Sequence, residues 1–186
     1  MNNVLRLVSP MPVSVNHYLA TRCIMKNGKP MAMIYETTEA KKYKKEFIKY
    51  IKEQVKEQNF KTDMNPAQHY YCDCVFYFDR IDKDCNNYFK LFLDSITESE
   101  CVWVDDNTVC ERVNRIYYDS KNPRIEATIY YSDYVGIFDN QEQLSQFEEK
   151  CKNCKRYYRN CSILNKAKEG RIQEEIQNMV CSKYKE

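Results

Sequence analysis

Glycine is scarce in this chain, three in 186 residues, and so are proline (five) and histidine (two). So few turn-formers, with a hydrophobic fraction of 43%, exclude a fibrous or disordered chain. Two isolated histidines, His17 and His69, argue against a histidine-based nuclease and against His-ligated zinc catalysis. No apolar run approaches the roughly 18 residues of a membrane span. Met1 to Pro12 has no basic segment followed by an apolar one, so no secretory signal is expected and the chain should be cytoplasmic. Internal repeats and low-complexity tracts are absent as well.

What the chain has is charge, unevenly spread. Net charge is only +2, but residues 41–61 carry eight lysines against three glutamates, while acids collect around 79–84 and 94–106. A basic face beside an acidic pocket suits an enzyme that grips phosphates and holds a cation; a solvated lysine-rich helix is the plainer alternative. The ten cysteines, in a chain without a signal, should be thiols or metal ligands rather than disulfides. Cys23, Cys72, Cys74, Cys85, Cys101 and Cys110 are scattered and read as small buried hydrophobes.

Residues 3–8 alternate as a first strand, ended by Ser9-Pro10 and Pro12, and Ser14 to Tyr18 form a polar turn. Asn27-Gly28 marks a hairpin turn. Tyr43, Phe47, Ile51 and Val55 recur every four residues and predict a helix over 39–58, capped by Thr37 or Thr38. Residues 69–79 read as a central strand, and 86–97 as a helix with a Phe89, Phe92, Leu93, Ile96 stripe. Strands at 108–118 and 124–132 complete an α+β domain, residues 1–133, with a mixed sheet and packed helices. Residues 134–186 predict a helical, cysteine-containing extension. Its seam is Phe147, Cys151, Cys154, Tyr158 and Cys161, with a capping-box start at Asp139 and Glu142, and a last helix carries Ile172, Ile176 and Val180 beyond Gly170.

The segment that carries chemistry runs from Asp82 to Asp94. With Asn86 at a helix start, Asn86, Lys90 and Asp94 share one face, Asp84 precedes them, and Asp105-Asp106 follow after a short connection. If the chain folds back, carboxylates from two places meet the first helical turn. Phosphodiester hydrolysis needs an activated water and a counter-charge for the developing anion, both of which oxygen-ligated Mg²⁺ supplies, with a lysine to neutralise the phosphate. Taken singly, each acid reads as a helix cap or a surface partner of lysine.

Asp84-x-Asn86-Asn87-x-x-Lys90-x-x-x-Asp94, followed by Trp103-Val104-Asp105-Asp106, resembles the core of RusA-type Holliday junction resolvases. Their pattern is D-x-D-N-x-x-K-x-x-x-D with a later D-D. Pro12-x-Ser14-x-Asn16-His17-Tyr18 resembles the family's P-x-S-x-N stretch and Arg124-Ile125-Glu126 its closing strand, so the resemblance covers residues 1–132. It implies a homodimeric, magnesium-dependent endonuclease that nicks four-way DNA junctions symmetrically, in recombination or repair, often from a prophage. By position it implies Asp84, Lys90 and Asp106 as catalytic residues and Asp84, Asn86, Asp105 and Asp106 as magnesium ligands. Asn87 and Asp94 match supporting polar positions. Asn16, His17, Asn87, Lys41, Lys45 and Arg112 are candidates for DNA contact. Asn86 departs from the family's aspartate. An amide oxygen still ligates Mg²⁺ but brings no charge, so either the site tolerates it, with Asp82 as the nearest compensating acid, or the protein binds junctions without cutting them.

In the extension, Cys151-x-x-Cys154, Cys161 and Cys181 are candidates for a four-thiolate zinc site, the first three on one helix face; otherwise they fill the helical seam. Basic residues there, Lys152, Lys155, Arg156 and Arg159, leave DNA or protein contact open. A zinc-stabilised DNA-binding regulator is therefore a third reading.

Overall fold

The computed structural model describes residues 3–63, 65, 68–159 and 161–186. The chain divides into two compact units, Met1–Pro66 with Tyr70–Tyr130, and Ala67–His69 with Tyr131–Glu186. None of the described helices is long and apolar enough to cross a membrane.

The first unit is an α+β core. Its sheet has the order β1-β6-β4-β5, built from β1 (Val4–Pro10), β4 (Tyr70–Phe78), β5 (Val109–Tyr118) and β6 (Arg124–Tyr131). β1 runs antiparallel to β6, and β4 parallel to β5. β1 continues two residues beyond the predicted strand, through Pro10; it is an edge strand, where a missing N–H breaks no ladder. Parallel neighbours need a crossover, and α3 (Asn86–Glu98) provides it. β4 alternates strictly, with Tyr70, Cys72, Cys74, Phe76 and Phe78 buried. Phe76 meets Phe89 of α3 edge-on at 5.3 Å, and Phe78 meets Tyr88 at 5.5 Å.

The expected helix is α2 (Thr38–Glu57), and Thr37 caps it by accepting a hydrogen bond from the Ala40 N–H. Its buried side carries Ala40, Tyr43, Phe47 and Ile51, and Phe47 stacks on Phe92 of α3 at 5.6 Å. Burial of each such ring contributes about 1.5–3 kcal/mol.

The polar turn before the hairpin contains a short helix, α1 (Val15–Tyr18), that buries Tyr18. The hairpin pairs β2 (Leu19–Lys26) with β3 (Lys29–Glu36), and Asn27 (φ 53°) with Gly28 (φ 75°) supplies the left-handed backbone of its turn. Cys72, Cys74 and Cys85 are buried as expected, but Cys23 is exposed on this hairpin.

The second unit differs from the helical extension expected. α4 (Gln141–Lys152) is capped by Asn140, whose side chain accepts from the Gln143 N–H; Asp139 with Glu142 does not form the cap. The seam is not one helix. α4 stops at Lys152, Cys154 lies in the turn beyond, a 3-10 turn follows at Tyr157–Arg159, and Cys161 stands at the start of α5 (Ser162–Lys168). The predicted last helix is instead a hairpin of β7 (Ile176–Gln177) and β8 (Val180–Cys181), turned by Asn178 and Met179 at positive φ. Phe138, Leu144, Phe147, Leu164 and Ala167 form this unit's small core, with Cys151, Cys161 and Cys181 packed against it.

Candidate active site

α3 begins at Asn86, where the spacing placed it. One Asp84 carboxylate oxygen accepts the Asn86 N–H at 3.0 Å, and its carbonyl accepts the Asn87 N–H at 3.1 Å. Asp84 thereby closes the first turn. Asn86 is exposed at that turn, and Lys90 and Asp94 follow one and two turns later on the same face. Their side chains meet, with Lys90 Nζ 2.6 Å from Asp94 Oδ1.

The other Asp94 oxygen accepts the Tyr18 hydroxyl at 3.1 Å. Tyr18 Oη also lies 2.9 Å from Glu36 Oε1, and Glu36 binds Lys44 Nζ at 2.7 Å. Lys44 in turn pairs with Glu98 at the end of α3. Four elements thus hold Asp94 in place, and Asp94 holds Lys90. This network of Tyr18, Glu36, Lys44 and Glu98 was not anticipated, although Lys44 has one sequence signal: it falls four residues after Ala40, on the helix side that also carries Phe47 and Ile51.

Asp105 and Asp106 follow the buried Trp103. Asp105 accepts the Asn107 N–H at 2.9 Å and caps a 3-10 turn, Asp106–Thr108. Asp106 is half-buried. Burial raises its carboxyl pKa, Lys90 opposes that, and Asp94 and Asp105 reinforce it, so the net shift is upward. Lys90 moves upward as well, first through its hydrogen bond to Asp94 and then, against a burial penalty, through the charges of Asp94 and Asp106. The leading electrostatic neighbours of Asp106 therefore lie on the second and third turns of α3, where the first turn had been expected.

Asp84, Asn86, Asp105 and Asp106, the expected magnesium ligands, all carry the oxygen donors that a hard divalent cation takes. Among the described residues, none of the three aspartates is in an ion pair. Asp82, by contrast, is paired with Arg80 at 2.9 Å. Among the described residues no group of three or more His, Cys, Asp or Glu is gathered to hold a metal.

The candidate DNA contacts are scattered. Lys41 and Lys45 are exposed on α2, and Asn16 and His17 are exposed on α1, while Asn87 is half-buried. His17 lines an open cleft of about 270 Å³ with Lys83, Asp79 and Tyr88, beside the start of α3. Arg112 is elsewhere. It bonds Asp73 and the Tyr130 hydroxyl, each at 2.6 Å, and lies over the Tyr71 ring. Tyr71 and Asp73 alternate with the buried residues of β4, so Arg112 belongs to the sheet face away from α3 and is not brought to the site.

The four tail cysteines line one small pocket in the second unit. Burial, then the charges of Cys181, Cys161 and Cys154, pushes the Cys151 thiol up to about 11.

A lysine paired with an aspartate on a crossover helix, and electrostatically coupled to Asp106 of a following loop, defines an α+β core equipped to handle phosphate. Residues 9–130 match the family described as endodeoxyribonuclease RusA, and the chain belongs to that family. Membership implies junction-resolving endonuclease activity, a phosphodiester hydrolase of a generally divalent-metal-dependent kind, and binding to branched DNA. No curated protein matches the chain.

Proposed function

We propose that the protein is a magnesium-dependent endodeoxyribonuclease that resolves four-way DNA junctions by paired symmetric nicks, acting as a homodimer. The observation that carries this reading is the grouping of Lys90, Asp94 and Asp106 beyond the Asp84–Asn86 turn, within the family-matched segment. Asp84, Asn86, Asp105 and Asp106 would hold Mg²⁺, which supplies an activated water and charge stabilisation at the phosphate.

The chain's own residues do the rest. Asp94 fixes the Lys90 ammonium, which stays charged across the working pH range and meets a scissile phosphate oxygen. The Asp106 carboxylate, more basic than an ordinary aspartate, can accept a proton from the attacking water. Lys41, Lys45, Asn16, His17 and Asn87 contact phosphates and position the junction without reading sequence. Two copies related by a two-fold axis place two such sites on opposing strands.

A second reading rests on Asn86: a neutral ligand weakens the metal site, leaving a protein that binds junctions and does not cut them. The deciding assay compares a synthetic four-way junction with linear duplex, with and without Mg²⁺. Paired nicks on the junction alone, dependent on Mg²⁺ and lost in Asp84→Asn with binding retained, support the nuclease. Tight junction binding without nicks in Mg²⁺ or Mn²⁺ supports the binder. Sedimentation at working concentration tests the dimer.

A further inference from the structure

The second unit has little apolar core for its size. Five buried residues form it, and Cys151, Cys161 and Cys181 only partly bury against them. A unit of this size is only marginally stable on its core alone, and a disulfide or a metal is a common supplement. All ten cysteines are free thiols.

Four of those thiols converge. Cys151 stands in the last turn of α4, Cys154 in the turn after it, Cys161 at the start of α5 and Cys181 at the end of the β7–β8 hairpin. Drawn from three separate places in the sequence, they line one pocket of about 20 Å³, room for a single ion or water and too small for an organic ligand. One ordered backbone donor already serves the Cys154 sulfur: the Lys185 N–H donates to it at 3.4 Å. Amide donors on sulfur favour a thiolate over a thiol. Arg156 and Lys183 also line the pocket, and four thiolates on a divalent ion leave a net charge of −2 for such cations to offset.

We propose that Cys151, Cys154, Cys161 and Cys181 bind one Zn²⁺ as a four-thiolate structural site that ties α4, α5 and the terminal hairpin together. Tetrahedral thiolate ligation at about 2.3 Å is the arrangement zinc prefers, with the close Cys151-x-x-Cys154 pair as its knuckle. Among the described residues no three of these thiols are gathered closely enough to hold a metal, so binding has to draw them inward around the pocket they line. Binding releases their protons and adds its free energy to the folding of this unit. The role is structural, because four protein ligands leave no open position for substrate.

The test uses the full chain, loaded with zinc under reductant and freed of excess, and reads metal and thiols, so it stands or falls apart from the nuclease reading. About one equivalent of zinc per chain is expected, replaceable by Co²⁺ with the visible absorption of a tetrahedral thiolate site. Cys154→Ser and Cys181→Ser should each lose most of it, and Cys23→Ser none. Because a ligand variant can fail to fold, alkylation of the wild-type chain gives a second reading. Metal should protect these four thiols, and a chelator should expose them. Less than about half an equivalent of zinc, or equal labelling of the four with and without metal, overturns the site. Loss of zinc in Cys23→Ser but not in Cys181→Ser overturns the ligand set.

Discussion

A carboxylate half-withdrawn from water beside two others destabilises a fold unless cations fully offset it, and at Asp106 the Lys90 charge does so only in part. Its pKa is raised in the folded state, so the ionised form is disfavoured there. The penalty is present above the folded pKa and disappears as pH falls through it. Asp106→Asn should therefore abolish cleavage while leaving the melting temperature at pH 7, without divalent metal, unchanged or higher, and the advantage should vanish in acid. A lower melting temperature at pH 7 would mean that Asp106 serves structure. Asn86 invites the opposite experiment. Asn86→Asp adds a ligand charge at the exposed first turn of α3 and should lower the Mg²⁺ concentration for half-maximal cleavage by on the order of tenfold; an unchanged Mg²⁺ titration would remove residue 86 from the metal site. The shared face of Asn86, Lys90 and Asp94 was legible in the sequence because the three recur every four residues from the start of α3. The network behind Asp94 was less so: Tyr18 reaches Asp94 across 76 positions, and Lys44 reaches Glu98 across 54, distances at which local pattern carries no information.

At the scale of elements, Lys44 is the fastening. It joins α2 to the end of β3 through Glu36 and to the end of α3 through Glu98. Hydrogen bonds and then charge hold Lys44 protonated against its burial, and its own hydrogen bond is the leading cause that lowers Glu36. The Lys44 contribution is complete below the unfolded lysine pKa and is lost as pH rises through the higher folded value. The Glu36 contribution is complete above the unfolded glutamate pKa, about 4.3, and is lost as pH falls through the lower folded value. Lys44→Met should cost about 1.5–3 kcal/mol in urea unfolding at pH 7, towards the lower end because both glutamates are partly solvated. It should also remove part of the wild-type loss of stability in acid; pH profiles that stay parallel would refute the Lys44–Glu36 tie. Elements were legible where periodicity was long. α3 buries its predicted stripe and α2 buries Tyr43, Phe47 and Ile51 of its own, with Val55 half-buried, and Asn27-Gly28 turns the predicted hairpin. In the tail, spacings of 4, 3, 4 and 3 imitated a helical seam, yet Asn153 ends α4 before Cys154. Two-residue strands such as β7 and β8 are too short to show a period of two.

At the scale of the whole molecule, two independent boundaries coincide: the family match ends at residue 130, and the first compact unit ends at Tyr130. We infer that the second unit is an addition to a complete nuclease core, and Gly136 gives a way to test it without truncating the chain. Gly136 has φ +60° in the tight turn where Val135 and Phe138 exchange backbone hydrogen bonds of 2.9 and 3.0 Å. A Cβ there would lie 2.2 Å from the Ala167 carbonyl oxygen, which accepts the Ile137 N–H at 3.0 Å. That obstacle is backbone, so no side-chain rotation relieves it. Left-handed backbone alone costs about 1–2 kcal/mol for alanine, and displacing the carbonyl opens a contact against the end of α5. Gly136→Ala should therefore strip hydrogen-exchange protection from the amides around Phe138, Leu144 and Phe147 and lower zinc retention. Protection in β4, β6 and α3 should remain. Junction cleavage should hold within about threefold of wild type, a change under about 1 kcal/mol in the barrier. Loss of protection in both units together, with cleavage falling in step, would show instead that the nuclease core depends on its tail to fold.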